Sequence, residues 1–154
     1  MNSKIILSQS TFRTKVIKLY GSNCIVCGHN IVEAAHIVDK TLFDNGEYSK
    51  FCEYNGIPLC PNHHTIFDKN KLFFNINYFN ESYFSNFINV NVYENNNFIG
   101  TSKIHSNAII YFIWRYYKYN HQDSYMNNIL DSIKNISRID NGYYYEKDGD
   151  AIMI

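Results

Sequence analysis

The sequence lacks features that are typical of membrane, secreted and repeat proteins. It contains two prolines among 154 residues, and it shows neither a flexible linker nor an internal repeat. The longest apolar run, Ala108 to Trp114, is far too short to span a bilayer, which needs roughly 20 residues. No apolar stretch follows a basic N-terminal segment, so no signal peptide is predicted. These shortages predict a soluble, cytoplasmic protein with no membrane partner.

An excess of charge of one sign is also missing. The chain carries 14 basic and 14 acidic residues, so its net charge gives no overall attraction to nucleic acid. DNA binding would have to depend on local charge. Residues 1–20 and 102–120 contain bases and no Asp or Glu. Their basic residues are therefore the candidate DNA contacts: Arg13, Lys15, Lys18, Lys103, Arg115 and Lys118.

The chain does contain the material for a core. Hydrophobic residues make up 45% of it, and the 14 Tyr and 11 Phe residues argue against disorder. Its length predicts a single domain, residues 1–154. All four cysteines and both prolines lie between residues 24 and 68. In an intracellular protein, cysteines are more often metal ligands than disulfide partners.

The first predicted element is an amphipathic helix over residues 11–20. Ser10 is a suitable N-cap and Gly21 a suitable C-terminal residue. Phe12 and Val16 fall on one apolar face, while the bases look outward. Two interpretations stay open: a plain packing helix, or a helix whose basic face contacts phosphates.

Two short motifs predict a zinc site. Cys24 and Cys27 are separated by two residues, a spacing that points two thiolates at one metal. Cys60 and His63 repeat this spacing about 35 residues later. Together they predict a tetrahedral Cys3His site. Cys52 is left over, either as a buried small hydrophobe or as the fourth ligand in place of His63.

Residues 31–38 predict a strand, because β-branched residues stand at both ends. Glu33 and Ala35 would share one side of it, and Ala34 and His36 the other. The small alanines predict open space around the His36 imidazole. A polar loop is expected to follow.

The next stretch places two polar side chains on one helix. Asn55-Gly56 predicts a turn, residues 57–59 a short strand and residues 61–68 a helix. His64 and Asp68 are four residues apart, so they project from one helical face about one turn apart. An imidazole and a carboxylate in this arrangement are suited to a divalent cation. A simple surface pair is the alternative.

The remaining residues predict further regular structure. We expect strands at 71–79 and 87–93, a turn at 95–100, a helix at 107–120 capped by Ser106, a helix at 123–137, and a hairpin turning at Asp148-Gly149. The aromatic stripe of the 107–120 helix is either core or a stacking surface for nucleic acid. The apolar face of the 123–137 helix would either cover the core or form a dimer interface.

Several of these motifs, taken in order, resemble the HNH nuclease family, in the branch of small restriction-endonuclease-like proteins. The motifs are Cys24-x2-Cys27, Ala35-His36-Ile37, Asn55-Gly56, Cys60-x2-His63-His64 and Phe67-Asp68. The resemblance covers about residues 11–77. It implies an α+β fold with a ββα-metal core, a Cys3His zinc knuckle and an N-terminal helix. A C-terminal extension of strands and helices, about 78–154, would serve DNA contacts or dimerisation.

The resemblance also implies a role for each motif residue. His36 would be the general base that activates water. Asn55 would hold the loop and orient His36, or touch the metal. His64 would ligate a catalytic Mg²⁺ or Mn²⁺, with Asp68 at the second ligand position. Structural zinc would occupy the knuckle.

One residue departs from the family pattern. Many members place an Asp or His immediately before the general base, where this sequence has Ala35. Three explanations are open. His64 and Asp68 suffice with water and phosphate, Glu33 reaches the metal instead, or the site is weakened or inactive.

These roles predict a metal-dependent endonuclease that hydrolyses phosphodiester bonds of double-stranded DNA, as a type II restriction enzyme and a homodimer. One alternative is a homing or mobile-element nuclease. The other is a non-catalytic, zinc-braced DNA-binding module, which would have no use for His36, Asn55 and His64 together.

Overall fold

The computed structural model of the protein describes residues 8–76, 86–138, 143–146 and 151–153. Within these residues the chain forms four α-helices: α1 Gln9–Tyr20, α2 Pro61–Asp68, α3 Ile109–Tyr119 and α4 Asp123–Lys134. It also forms eight strands: β1 Glu33–His36, β2 Gly56–Leu59, β3 Leu72–Asn75, β4 Phe87–Glu94, β5 Asn97–His105, β6 Ile136–Arg138, β7 Tyr143–Glu146 and β8 Ala151–Met153.

The strands β1 and β2 form an antiparallel pair that leads directly into α2. Their register places Glu33 opposite Leu59, two residues before α2 begins at Pro61. Cys60, between them, caps the helix by accepting a hydrogen bond from the backbone N–H of His63. Pro61 suits the first helical position, because its missing N–H costs little there. The predicted strand–strand–helix unit is present.

Helix α1 packs on this strand pair at Gly56. A methyl group on Gly56 would lie 2.4 Å from Phe12 Cζ and 2.6 Å from Val16 Cγ2, so only glycine permits the close approach. Gly56 has a φ of −142°, which is extended backbone. The predicted turn before the strand is present but lies earlier than Asn55-Gly56: it is a 3₁₀ turn, Glu53–Asn55, and Gly56 already belongs to β2.

Two further boundaries differ from the sequence prediction. Helix α1 begins at Gln9 because Ser8, rather than Ser10, is its N-cap. The Ser8 hydroxyl accepts from the Thr11 N–H, and the Thr11 hydroxyl accepts from the Ser8 N–H. Strand β1 covers only the middle of the predicted strand 31–38.

A second antiparallel sheet has the order β3–β4–β5. Asn95 and Asn96 make a tight turn, with φ of 50° and 69°, and the chain returns at once as β5. The predicted turn at 95–100 is thus wrong beyond these two residues, and β5 was not predicted. The first half of β5 is largely exposed, so it has no alternating apolar pattern to reveal it. The strand predicted at 71–79 corresponds to β3, and its last residues, 77–79, lie outside the part of the chain that the structure describes.

Helices α3 and α4 pack against each other and against the core. Ser106 lies in a 3₁₀ turn instead of capping a helix, so α3 starts later than predicted. Helix α4 ends at Lys134 because the chain turns into β6. Its apolar face covers the core through Met126, Ile129, Leu130 and Ile133. The predicted turn at Asp148-Gly149 lies outside the described residues.

One core cluster joins the strand–strand–helix unit to the second sheet and α3, and it includes Ile57, Phe67, Val90 and Phe112. Phe12 and Val16 of α1 pack with Ala34 of β1 in a second, smaller cluster. The predicted α+β class is confirmed. Among the described residues, every helix is too short or too polar to cross a membrane.

Candidate functional site

Three cysteines and a histidine converge as the sequence predicted. Cys27 and Cys60 have their Sγ atoms 3.8 Å apart, and His63 Nδ1 lies 3.2 Å from Cys60 Sγ and 3.8 Å from Cys24 Sγ. A tetrahedral zinc with Zn–S bonds of about 2.3 Å holds its sulfurs about 3.8 Å apart. The donor set and its spacing therefore fit zinc. Within the described part of the chain, it is the one group of three or more ligand-type side chains close enough to share an ion.

Cys52 is separate from this group. Its Sγ lies 2.9 Å from the Tyr48 hydroxyl, and the side chain is buried. The fourth zinc ligand was predicted as either His63 or Cys52. Of these two residues, His63 lies beside the other three ligands. His63 is also held from its other side, because Glu94 Oε1 at the end of β4 lies 3.6 Å from His63 Nε2.

A cleft of about 330 Å³ lies beside α2. It brings together residues from α1, β1, the loop after β1, α2 and α3. Its lining residues are Gln9, Ala34, His36, Asp39, Lys40, Thr41, His64, Asp68 and Lys118. Four predicted site residues therefore share one cleft: His36, His64, Asp68 and the candidate DNA contact Lys118.

His36 is more tightly held than its alanine neighbours suggested. Its ring stacks on Phe12 with centroids 4.1 Å apart, and Phe51 lies edge-on at 6.2 Å. The expected open space is the cleft that His36 helps to line. Burial lowers the pKa of His36 to about 4, against the opposing effect of its hydrogen bond to the Lys50 carbonyl. The ring is therefore neutral at neutral pH.

The hydrogen bond of His36 decides which ring nitrogen is free. Nε2 lies 2.7 Å from the carbonyl oxygen of Lys50. A carbonyl only accepts, so the proton of the neutral ring is on Nε2 and donates to it. Nδ1 keeps its lone pair and is the nitrogen that can accept a proton from water.

His64 has a carboxylate at each ring nitrogen. Nε2 lies 3.3 Å from Asp68 Oδ2, and Nδ1 lies 2.8 Å from Glu33 Oε1. Two adjacent ligands of an octahedral ion, each about 2.1 Å from it, are about 3 Å apart. Asp68 and His64 Nε2 can therefore hold one divalent cation with little movement. A cation held by this one nitrogen and one oxygen would keep most of its coordination positions open for water and phosphate.

Asn55 does not line the cleft. It is completely buried, and its amide makes three hydrogen bonds: Val38 N–H to Oδ1 at 2.8 Å, and Nδ2 to the carbonyls of Val38 and Ser49 at 3.1 and 3.0 Å. The Ser49 carbonyl is one residue before the Lys50 carbonyl that binds His36. Asn55 thus ties together the loop that supports His36.

The candidate DNA contacts are placed very differently from one another. Arg115 is buried, with 3% of its surface exposed, and it donates to the carbonyls of Ile37 and Phe67. The prediction that Arg115 contacts DNA is therefore wrong: it braces β1 against α2. Lys118 lines the cleft. Arg13, Lys18 and Lys103 are exposed and Lys15 half-buried, but none of these four lies in the cleft.

Sequence reasoning missed Asp39 and Lys40 as cleft residues. Asp39 lies 3.4 Å from Lys118 Nζ, and Lys40 is close enough to disfavour a charge on His36. Both come three to four residues after His36. Their closeness to His36 in the sequence was the available signal that they lie near the site. Because they belong to a polar loop without periodicity, the sequence does not indicate which way their side chains point.

Comparison with models of protein families gives a match over part of the chain. The model of a family described as HNH endonuclease matches residues 24–75, which contain the Cys3His group, His36, His64 and Asp68. Neither the curated proteins nor the solved structures contain a match to this chain.

Proposed function

Taking residues 24–75 as a segment of the HNH endonuclease family, we propose that this chain is a metal-dependent DNA endonuclease. Its site is the cleft that contains His36, His64 and Asp68. One observation supports the proposal: His36, whose Nε2 bonds to a carbonyl and leaves Nδ1 free, lines the same cleft as the adjacent pair His64 and Asp68. A general base can activate water for attack on a phosphodiester, and a divalent cation can stabilise the charge that develops in that attack.

In this proposal His36 is the general base. Nδ1 takes a proton from water, and the Lys50 carbonyl keeps the ring in the tautomer that leaves Nδ1 free. The stack on Phe12 limits rotation of the ring. His64 and Asp68 hold a Mg²⁺ or Mn²⁺ ion. When bound, this ion stabilises the negative charge on the phosphate and on the leaving oxygen.

Lys118 and Lys40 are proposed to contact the phosphate backbone at the cleft. Lys118 comes from α3, outside the segment matched by the family model. The C-terminal extension would thus supply a DNA contact beside the catalytic unit. Exposed Lys18 and Arg13 on α1 are proposed as more distant contacts. Phosphate contacts add affinity that depends on salt, without base specificity.

Zinc in the Cys3His knuckle is proposed to be structural. Cys24 and Cys27 precede β1, whereas Cys60 and His63 begin α2. A metal bound to all four fixes the start of α2, and therefore the position of His64, the residue after His63. Zinc sites with four protein ligands have no open position for chemistry.

The finer biological role is proposed as type II restriction, with a homodimer cutting both strands of a double-stranded site. Two strands of a palindrome require two sites related by symmetry. A homing or mobile-element nuclease is the nearest alternative. A non-catalytic DNA-binding module is a second candidate, because Ala35 is buried in the core and supplies no ligand before His36.

The test is cleavage of supercoiled plasmid with Mg²⁺ or Mn²⁺ by wild type, His36→Asn and His121→Asn. His121 is exposed, and its φ of 55° is one that asparagine tolerates, so it is a matched control. We expect wild type and His121→Asn to cut, and zinc-loaded His36→Asn to be at least about 100-fold slower. If no variant cuts methylated or unmethylated DNA although all bind it, the binding module is correct.

A further inference from the structure

Glu33 occupies a position that neither the family match nor the cleft explains. Its Oε1 lies 2.8 Å from His64 Nδ1. It approaches from outside the cleft, whose lining contains Ala34 and His36 from the same strand but not Glu33. The β1–β2 register creates this contact, because Glu33 pairs with Leu59 just before α2 begins.

We propose that Glu33 is a positioning residue that selects the nitrogen with which His64 binds the catalytic cation. This rests on the proposed function, since it concerns the same site. Both carboxylates only accept, but Glu33 at 2.8 Å is closer to its ring nitrogen than Asp68 at 3.3 Å, so Glu33 draws the imidazole proton to Nδ1. The lone pair is then on Nε2, the nitrogen beside Asp68. Histidines that bind metals commonly donate their other N–H to a carboxylate in this way.

The geometry argues against Glu33 as a direct ligand in place of the residue missing at Ala35. The two nitrogens of an imidazole point away from each other in the ring plane. An ion held by Asp68 and His64 Nε2 is therefore on the opposite side of the ring from Glu33 Oε1. Glu33 compensates indirectly for the ligand that is missing at Ala35. It fixes the orientation of His64, which shares the cation with Asp68 as its other protein ligand.

Half of the Glu33 side chain is exposed, at 53%, so its contact with His64 adds little to folding stability. Its effect is on orientation and tautomer. The loss of Glu33 should consequently change cation binding far more than the free energy of unfolding. This difference separates a positioning role from a structural one.

The experiment compares wild type, Glu33→Ala and Glu33→Gln, all zinc-loaded, by calorimetric titration with Mn²⁺ in the absence of DNA. Asp131→Ala, which removes one exposed negative charge on α4, is the control for general electrostatics. A glutamine oxygen still accepts the Nδ1–H bond. We expect Glu33→Ala to weaken Mn²⁺ binding about 10- to 100-fold, Glu33→Gln to stay within a few-fold of wild type, and Asp131→Ala to have no effect.

Equal losses in Glu33→Ala and Glu33→Gln would overturn the proposal, because a direct ligand or a plain charge effect predicts that pattern. Unchanged affinity in both would overturn it as well. The tautomer of His64 is a second readout that needs neither catalytic ion nor DNA. Long-range ¹⁵N–¹H spectra at about pH 8 should show the proton on Nδ1 in wild type and a shift towards Nε2 in Glu33→Ala. A wild type that cuts no DNA but shows this change would refute the nuclease assignment and leave the Glu33 inference standing.

Discussion

Replacement of Asn55 by alanine tests how the site is supported. The change removes three hydrogen bonds from a fully buried amide, to Val38 N–H and to the carbonyls of Val38 and Ser49. Each buried hydrogen bond contributes about 1 kcal/mol net, and a buried group left without a partner costs about 1–3 kcal/mol. We expect Asn55→Ala to lose about 3–5 kcal/mol of the free energy of unfolding. That is a large part of the about 5–15 kcal/mol typical of a domain.

Urea unfolding monitored by the fluorescence of Trp114 measures this loss. Asn127→Ala, at an exposed position on α4, is the matched control and should change stability by less than about 0.5 kcal/mol. Under conditions where it remains folded, Asn55→Ala should bind Mn²⁺ as wild type does, because Asn55 contacts no cation ligand. The reasoning is refuted if Asn55→Ala is as stable as wild type and loses Mn²⁺ affinity, since Asn55 would then touch the metal.

Other perturbations have equally defined outcomes. Gly56→Ala places a methyl group 2.4 Å from Phe12 Cζ and should cost about 1–3 kcal/mol in urea unfolding; an unchanged midpoint would contradict the close packing of α1. The pKa of His36 is about 4 in the folded protein and about 6.5 in the unfolded chain. Between these two pH values the unfolded chain therefore binds more protons than the folded protein. Stability should therefore fall as pH drops from about 6.5 to 4, and less steeply in His36→Gln; parallel profiles would contradict the burial of His36. Cys27→Ser should lower the zinc content measured by atomic absorption and reduce the melting temperature, whereas Cys52→Ser should keep its zinc; equal zinc loss in both would contradict the Cys3His set.

The parts of the site that sequence reasoning predicted are those set by local spacing. Cys24 and Cys27 are brought together by one tight turn. His64 and Asp68 are adjacent because a helix places every fourth residue on one face. These relations hold whatever the rest of the chain does, so motif and periodicity were sufficient for them.

The parts of the site that the sequence did not predict depend on contacts between segments that are distant in the chain. Periodicity correctly placed Phe12 on the apolar face of α1, but it could not show that the ring stacks on His36 from another element. Sequence alone predicts Arg115 as a surface base, because charged residues are rarely buried. Two backbone carbonyls and the Phe67 ring, 3.7 Å from its guanidinium carbon, hold it in the core instead.

Strand β5 shows the same limit at the level of the fold. Its partner β4 alternates between buried and exposed residues, and this pattern was recognised. Phe98 and Ile99 of β5 are consecutive and both exposed, so no period of two was visible. Pairing with β4, rather than the sequence of β5 itself, determines this strand.

The central claim is that two residues of one cleft have separate roles: His36 is the general base, and His64 binds the catalytic cation. The Mn²⁺ dependence of plasmid cleavage tests it most directly, measured for wild type, His36→Asn and His64→Asn. We predict that His36→Asn lowers the maximal rate at least about 100-fold without changing the half-saturating Mn²⁺ concentration. His64→Asn should raise that concentration instead, by about 10-fold or more. A raised Mn²⁺ requirement in His36→Asn, or an unchanged one in His64→Asn, would contradict this division.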